Sequence, residues 1–104
     1  MKMALAQTTP AFLDGKTKLL LIDGQLVPAA SGRTFTTVNP STGRPLAEVA
    51  QAGPEDIDAA VRSARAAFDG AWSKFKPFDR QPCLLKLADI VERRFEELAL
   101  LDTL

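Results

Sequence analysis

From Asp79 to about residue 102 the sequence carries one long amphipathic pattern, and no other feature restricts the fold as strongly. Leu84, Leu87, Ala88, Val91, Phe95 and Leu98 recur at helical spacing as an apolar stripe. Asp89 with Arg93, and Arg93 with Glu97, form i,i+4 pairs on the wet side. Asp79 is placed to cap the amino end, and Pro82 falls in the expected first turn, where no intrahelical donor is lost. From Arg80 to Leu101 such a helix is about 33 Å long. A compact body of about 100 residues has a radius of gyration near 13 Å, so the helix spans it and needs a partner layer along its full length. Burial of a large apolar side chain gains about 1.5–3 kcal/mol, so leaving half of the stripe uncovered forfeits roughly 5–9 kcal/mol. That rivals a domain's whole net stability of about 5–15 kcal/mol. The pattern therefore implies further polypeptide beyond Leu104.

What precedes the helix is too slight to cover it. Residues 1–17 carry Pro10 and Gly15 with no sustained period and read as a mobile arm that gains order by lying on something else. Lys18-Leu19-Leu20-Leu21-Ile22 is a short apolar run ending in Asp23-Gly24, a dipeptide suited to a two-residue hairpin turn, and Gln25-Leu26-Val27 resumes beyond it. Arg33-Thr34-Phe35-Thr36-Thr37-Val38 alternates in polarity like a half-buried strand. Asn39-Pro40-Ser41-Thr42-Gly43 has the residues of a tight turn, and Leu46-Ala47-Glu48-Val49-Ala50 returns as the next strand. β-hairpins are thus expected over 18–50.

At Gly53 the period changes from two to 3.6. Gly53 and Pro54 suit a helix start, Glu55 and Asp56 place negative charge at the positive end of its dipole, and Asp69-Gly70 suits its stop, giving a helix over about 54–69. Its stripe, Ile57, Ala60, Val61, Ala64 and Phe68, is narrow and mostly of small side chains. A loop from Ala71 to Phe78 leads to the long helix over about 79–102. The expected fold class is an α/β fragment, short antiparallel strands followed by two helices, with residues 18–104 forming an incomplete domain.

Composition narrows the function classes. Lys plus Arg equals Asp plus Glu at 13 each, so no net field gathers phosphates, and nucleic acid is not an expected partner. With one cysteine, Cys83, and no histidine, neither an internal disulfide nor a Cys/His zinc site can form. No stretch approaches the roughly 20 apolar residues that span a bilayer, and the apolar start of Met1-Lys2-Met3-Ala4-Leu5-Ala6 is shorter than a secretory signal core. A soluble, cytoplasmic protein is expected.

Few residues are candidates for chemistry. Cys83 is the only strong nucleophile, but no histidine can serve as its base and Leu84-Leu85 follow it, so a buried structural thiol is the expected role. The glycines never take a dinucleotide-binding or P-loop spacing after a strand, which leaves them as turn residues. Glu92, Glu96 and Glu97 share the polar face of the long helix with Arg93 and Arg94 and read as solvated surface. Arg62 and Arg65 suit the end of an acidic-start helix, and Trp72 reads as a loop anchor. No residue is assigned a catalytic or cofactor-binding role.

Taken together, several runs resemble the amino-terminal region of the NAD(P)-dependent aldehyde dehydrogenase superfamily. They are Leu21-Ile22-Asp23-Gly24, Ser31-Gly32-Arg33-Thr34-Phe35, Val38-Asn39-Pro40-Ser41-Thr42-Gly43, Ala47-Glu48-Val49, Asp56 to Val61, Ala64 to Phe68, Trp72, Arg80, Leu87 to Glu92 and Glu97-Leu98-Ala99. Order and spacing agree over about residues 19–104. The resemblance implies a subunit of several hundred residues with a cofactor-binding domain, a catalytic domain and an oligomerisation arm, using NAD or NADP to oxidise an aldehyde to a carboxylic acid. In that family a cysteine thiolate attacks the aldehyde, hydride passes to the nicotinamide, and a glutamate-activated water releases the acid. Those groups lie downstream, and Cys83 falls on an apolar helix position, not on the nucleophile.

The resemblance also implies a monovalent-cation site with backbone oxygens at Thr37 and Val38, completed by a carboxylate immediately after Leu104 and by a later backbone oxygen. The expected partners are the rest of the subunit and, for the parent, further copies of itself. The chain alone is expected to be inactive and to bind no cofactor. Two rival readings are a non-catalytic interaction module that docks on a dehydrogenase subunit through its helix stripe, and a thiol redox catalyst built on Cys83.

Overall fold

A computed structural model describes residues 9–104. Two hairpins come first. β1 (Leu20–Ile22) pairs antiparallel with β2 (Gln25–Val27), with Leu20 opposite Val27 and Ile22 opposite Gln25. Asp23 and Gly24 both take positive φ, 53° and 71°, the type I′ geometry whose twist matches the flanking strands. β3 (Thr34–Val38) pairs antiparallel with β4 (Pro45–Ala50). Their turn is held by Asn39, whose carboxamide oxygen accepts the Ser41 N–H at 2.8 Å and whose carbonyl accepts the Gly43 N–H at 2.8 Å, with Gly43 at φ 70°. Lys18 joins the hairpins by lying parallel to β4: its N–H donates to the Glu48 carbonyl and its carbonyl accepts from Ala50, both at 2.8 Å.

Helix α1 (Pro54–Asp69) has the expected bounds. Its start is tied to the hairpins by Asp56, one of the few buried residues of the chain at 7% exposure. The Asp56 carboxylate accepts the Gly53 N–H at 2.9 Å and, across 26 positions, the Ala30 N–H at 3.0 Å. Two turns further on, the Ser63 hydroxyl donates to Asp23 at 3.2 Å. The side of α1 facing its own chain is therefore Asp56, Ala59, Ala60 and Ser63. Except for Ala60, the expected apolar stripe points away: Ile57, Val61 and Phe68 are 58%, 60% and 64% exposed.

The segment expected as a loop after α1 contains a further short helix, α2 (Ala71–Lys74). Gly70 permits that immediate restart. A Cβ there would lie 2.8 Å from the Ala66 carbonyl oxygen, closer than a carbon can approach, while the Gly70 carbonyl accepts from both the hydroxyl and the N–H of Ser73. Gly70 takes φ −91°, so steric room, not left-handed backbone, is what glycine supplies here.

The single long helix expected over 79–102 is two helices, α3 (Pro77–Arg93) and α4 (Phe95–Thr103). Asp79 is not the N-cap. Lys76 occupies that position, Pro77 begins the helix, and the Asp79 carboxylate reaches back to the Lys76 N–H at 2.9 Å from the third position. The earlier start moves Pro82 out of the first turn to the sixth helical residue, so the Phe78 carbonyl loses its usual i+4 donor. Between α3 and α4, Arg94 leaves helical geometry at φ −107°, ψ 17°, and its N–H is shared between the carbonyls of Ile90 and Val91 at 3.1 and 3.2 Å. Neither Gly nor Pro lies there. The tightened turn swings α4 toward the amino-terminal segment, where the Glu97 carboxylate accepts the Phe12 N–H at 2.9 Å and Leu100, Leu101 and Leu104 become half-buried.

α3 stays almost wholly uncovered. Leu84, Leu85 and Leu87 are 64%, 58% and 56% exposed, and Phe78 is 82% exposed. Among the described residues the buried apolar side chains are those of Pro10, Ala29 and Ala50, and the radius of gyration is 18.0 Å, against about 13 Å for a compact chain of this length. The deficit expected from the stripe is therefore real within this chain.

Two substitutions should move stability in opposite directions, read by the circular-dichroism thermal or urea midpoint. Asp56→Ala strips acceptors from two N–H groups and should cost about 2–3 kcal/mol. Pro82→Ala restores an internal helix bond at an exposed position and should gain up to about 3 kcal/mol.

Candidate functional site

The residues singled out as cation ligands sit at the end of β3. Thr37 is half-buried opposite Ala47, and Val38 is 47% exposed opposite Pro45. The register shifts between them, leaving Leu46 without a cross-strand partner and breaking the ladder where free backbone oxygens would be wanted. Beside this break lies a cleft of about 640 Å³, walled by Asn39 and Leu46 from the hairpin, Pro10 and Leu13 from the amino-terminal segment, and Leu100 and Leu104 from α4. Leu104 thus ends beside the residue that follows Val38. The only charged side chain in that wall is Arg44, and no cluster of three or more His, Cys, Asp or Glu residues occurs among the described residues. Two neutral backbone carbonyls alone do not make a cation site. A hard cation needs more oxygens, an anionic one among them.

The remaining candidates are dispersed. Cys83 is exposed on α3, not buried as expected, because nothing covers that helix; its thiol faces the Asp79 carbonyl at 4.0 Å. No base stands beside it. Arg62 pairs with Asp58 one turn back, and Arg65 stacks over the Phe68 ring at 5.4 Å. Glu97 is more than solvated surface, since it holds the Phe12 N–H and pairs with Arg94 at 3.6 Å. Trp72, expected as a loop anchor, lies in α2 and is 41% exposed; its ring packs locally, 5.4 Å from Phe75 and 5.1 Å from the Arg80 guanidinium, which also donates to the Trp72 carbonyl.

Three contacts that order the chain have no counterpart in the sequence reading. Asp56 was seen as a dipole partner and not as the acceptor for Ala30, although acid at the third helical position after a glycine is a capping signal. The Glu97 latch on Phe12 spans 85 positions and left no local trace. Near the latch, the Asp14 carboxylate accepts from the Lys18 ammonium at 2.7 Å and from the Lys16 N–H at 3.0 Å, and Lys18 lies over the Phe12 ring at 4.4 Å. The Lys18 hydrogen bond, with the Lys16 N–H second, holds the Asp14 carboxyl below its ordinary value of 3.8.

The profile of the aldehyde dehydrogenase family matches residues 26–104. A putative aldehyde dehydrogenase, DhaS, of Bacillus subtilis is 47% identical over 98% of this chain and 21% of its own length. A mitochondrial aldehyde dehydrogenase, family 2 member B4, of Arabidopsis thaliana is 51% identical over 81% of this chain and 16% of its own. Among solved structures, the NAD+ complex of an aldehyde dehydrogenase from Bacillus cereus superposes with a TM-score of 0.80 at 46% identity, covering 86% of this chain and 18% of that one. An NAD-dependent aldehyde dehydrogenase from Sinorhizobium meliloti does so with a TM-score of 0.82 at 34% identity, covering 94% and 20%. The chain spans about a fifth of the length of these relatives.

Asp14 offers a test of the amino-terminal geometry. A depressed folded-state value contributes stability that is present above 3.8 and lost as pH falls through the lower folded value. A carboxyl-carbon NMR titration should give Asp14 a midpoint below 3.8, and Lys18→Met should raise it toward 3.8; an unmoved midpoint would remove the pairing.

Proposed function

The chain belongs to the aldehyde dehydrogenase family, and from that premise we propose that it is the amino-terminal part of the cofactor-binding domain of an enzyme that oxidises an aldehyde to a carboxylic acid with NAD or NADP. The observation that carries this is the pairing of a match over 98% of the chain with apolar faces on α1 and α3 that nothing among the described residues covers. Those faces are where the rest of such a subunit packs. The NAD+ complex of the Bacillus cereus relative supports a nicotinamide cofactor for the parent. When bound, that cofactor accepts the hydride; the residues of this chain only build the outer layer of the domain that holds it.

Within that reading, residues 18–104 are an incomplete domain and residues 9–17 belong to an arm that gains order by lying against other chain; the rest of the expected arm, residues 1–8, lies outside the described residues. The carbonyl oxygens of Thr37 and Val38 become cation ligands when a carboxylate from outside this chain enters the cleft beside Asn39 and Leu104. The parent is cytoplasmic and assembles with copies of itself. No helix among the described residues is long and apolar enough to cross a membrane. The same exposed stripes also suit a non-catalytic module that docks on an intact dehydrogenase subunit.

Purified chain supplied with NAD or NADP and a panel of aldehydes should show no reduced nicotinamide at 340 nm, and turnover would overturn the reading. A stoichiometric complex with a full-length relative in size-exclusion chromatography would favour the docking module instead.

A further inference from the structure

The break at Arg94 is not required by the residues that flank it. The apolar positions Leu84, Leu87, Val91, Phe95 and Leu98 keep helical spacing straight through it. Arginine is itself a good helix former, and sharp breaks are ordinarily the work of proline, glycine or an inserted side chain. Interrupting the helix also leaves backbone groups without partners. The N–H groups of Phe95, Glu96 and Glu97 open α4 without the carbonyls of Val91, Glu92 and Arg93 that an unbroken helix would offer, and the Val91 carbonyl takes the Arg94 N–H instead. Local charge softens that loss, since Arg93 closes α3 and Glu96 and Glu97 open α4, each suited to its own helix dipole. The junction is therefore poised: its sequence is compatible with a straight helix and with a bent pair, and a contact from elsewhere selects between them.

That contact comes from the amino-terminal segment. The Glu97 carboxylate, in the first turn past the break, accepts the Phe12 N–H at 2.9 Å. The Lys18 ammonium lies 4.4 Å from the Phe12 ring centre, and Lys18 is fixed at both ends, by Asp14 at 2.7 Å and by its backbone bonds to β4. With α4 turned this way, Leu100 and Leu104 face Pro10 and Leu13 across the cleft of about 640 Å³. Pro10 is buried there, and Leu13, Leu100 and Leu104 are half-buried. The bent pair thus gains apolar burial and a charge-assisted hydrogen bond, where the straight helix gains internal backbone bonds. Because the segment is anchored to β4 and not to α3, the bend depends on whether it is seated.

We propose that residues 9–18 are a strap that works the α3–α4 junction. Seated on Glu97, the strap bends the chain at Arg94 and forms the cleft beside Asn39. Released, it lets α3 and α4 merge into one straight helix, which carries Leu104 away from the β3–β4 turn. The strap thereby couples the amino-terminal segment to the place where α4 delivers its end. This is independent of the parent's activity, because the test reads a distance and not turnover.

Cys83, exposed on α3 and the only cysteine, and an Asp102→Cys substitution at an exposed position near the end of α4 supply two spin-label sites. In a straight helix they lie about 28 Å apart. Electron–electron double resonance on the labelled 104-residue chain should give one narrow distance, clearly shorter than the straight-helix value. Glu97→Ala should shift it toward about 28 Å. So should Leu13→Asp, which unseats the strap and changes no helix residue. Arg94→Met removes the local pairing with Glu97, keeps helix propensity, and should leave the distance short. Loss of folding broadens the distribution and cannot produce a narrow, longer distance. A long or broad distribution in the labelled chain without further change, an unmoved or merely broadened one in Glu97→Ala or Leu13→Asp, or lengthening by Arg94→Met would each overturn the proposal.

Discussion

The Asp56 carboxylate is where the two halves of this chain meet. It accepts one N–H from Gly53, opening α1, and another from Ala30, in the connection between the hairpins, and it does so buried at 7% exposure. A carboxylate out of water is tolerable only when such donors replace its hydration. Ala29 beside it, at 4% exposure, is one of the few apolar side chains that are fully covered. With so little hydrophobic core, directional polar contacts carry the positioning that packing carries in a larger domain.

That anchor decides which side of α1 faces inward. Because Asp56 and Ser63 take the inner face, the apolar stripe is turned outward, the reverse of the usual amphipathic docking. The same inversion holds on α3, whose leucines lie open while Arg80 is tucked against Trp72. A chain that spends polar contacts on internal order and leaves apolar surface outside has prepared that surface for another polypeptide. Under the proposed reading, that polypeptide is the remainder of the subunit.

The amino-terminal segment shows the same economy. Phe12, Asp14 and Lys18 form a small knot whose links are the Lys18 ammonium on Asp14 and over the Phe12 ring, and the Phe12 N–H on Glu97. Lys18 then continues into a parallel bridge on β4. The segment thereby closes one wall of the cleft beside Val38 and Asn39, with α4 as the other. Neither wall would stand there if α3 ran straight on past Arg94.

Short-range chemistry was legible in the sequence. Asp23-Gly24 specified its turn because only residues tolerant of positive φ fit type I′, Asn39 to Gly43 specified theirs, and Gly53-Pro54 with Asp69-Gly70 bounded α1, since each signal acts within a few residues. The uncovered stripe was legible too, as a mismatch between apolar surface and the chain available to cover it. The tertiary structure alone decided the break at Arg94, the interior position of Pro82, the exposure of Cys83 and the outward rotation of α1. The outward rotation of α1 and the course of α4 depend on contacts between distant positions, Ala30 with Asp56, Asp23 with Ser63 and Phe12 with Glu97, whose free energies no local periodicity encodes, whereas the place of Pro82 follows from the earlier helix start at Lys76 and Pro77. Family membership, likewise, was written in the order and spacing of the motifs, while the break in the β3–β4 ladder between Thr37 and Val38 emerged only with the fold.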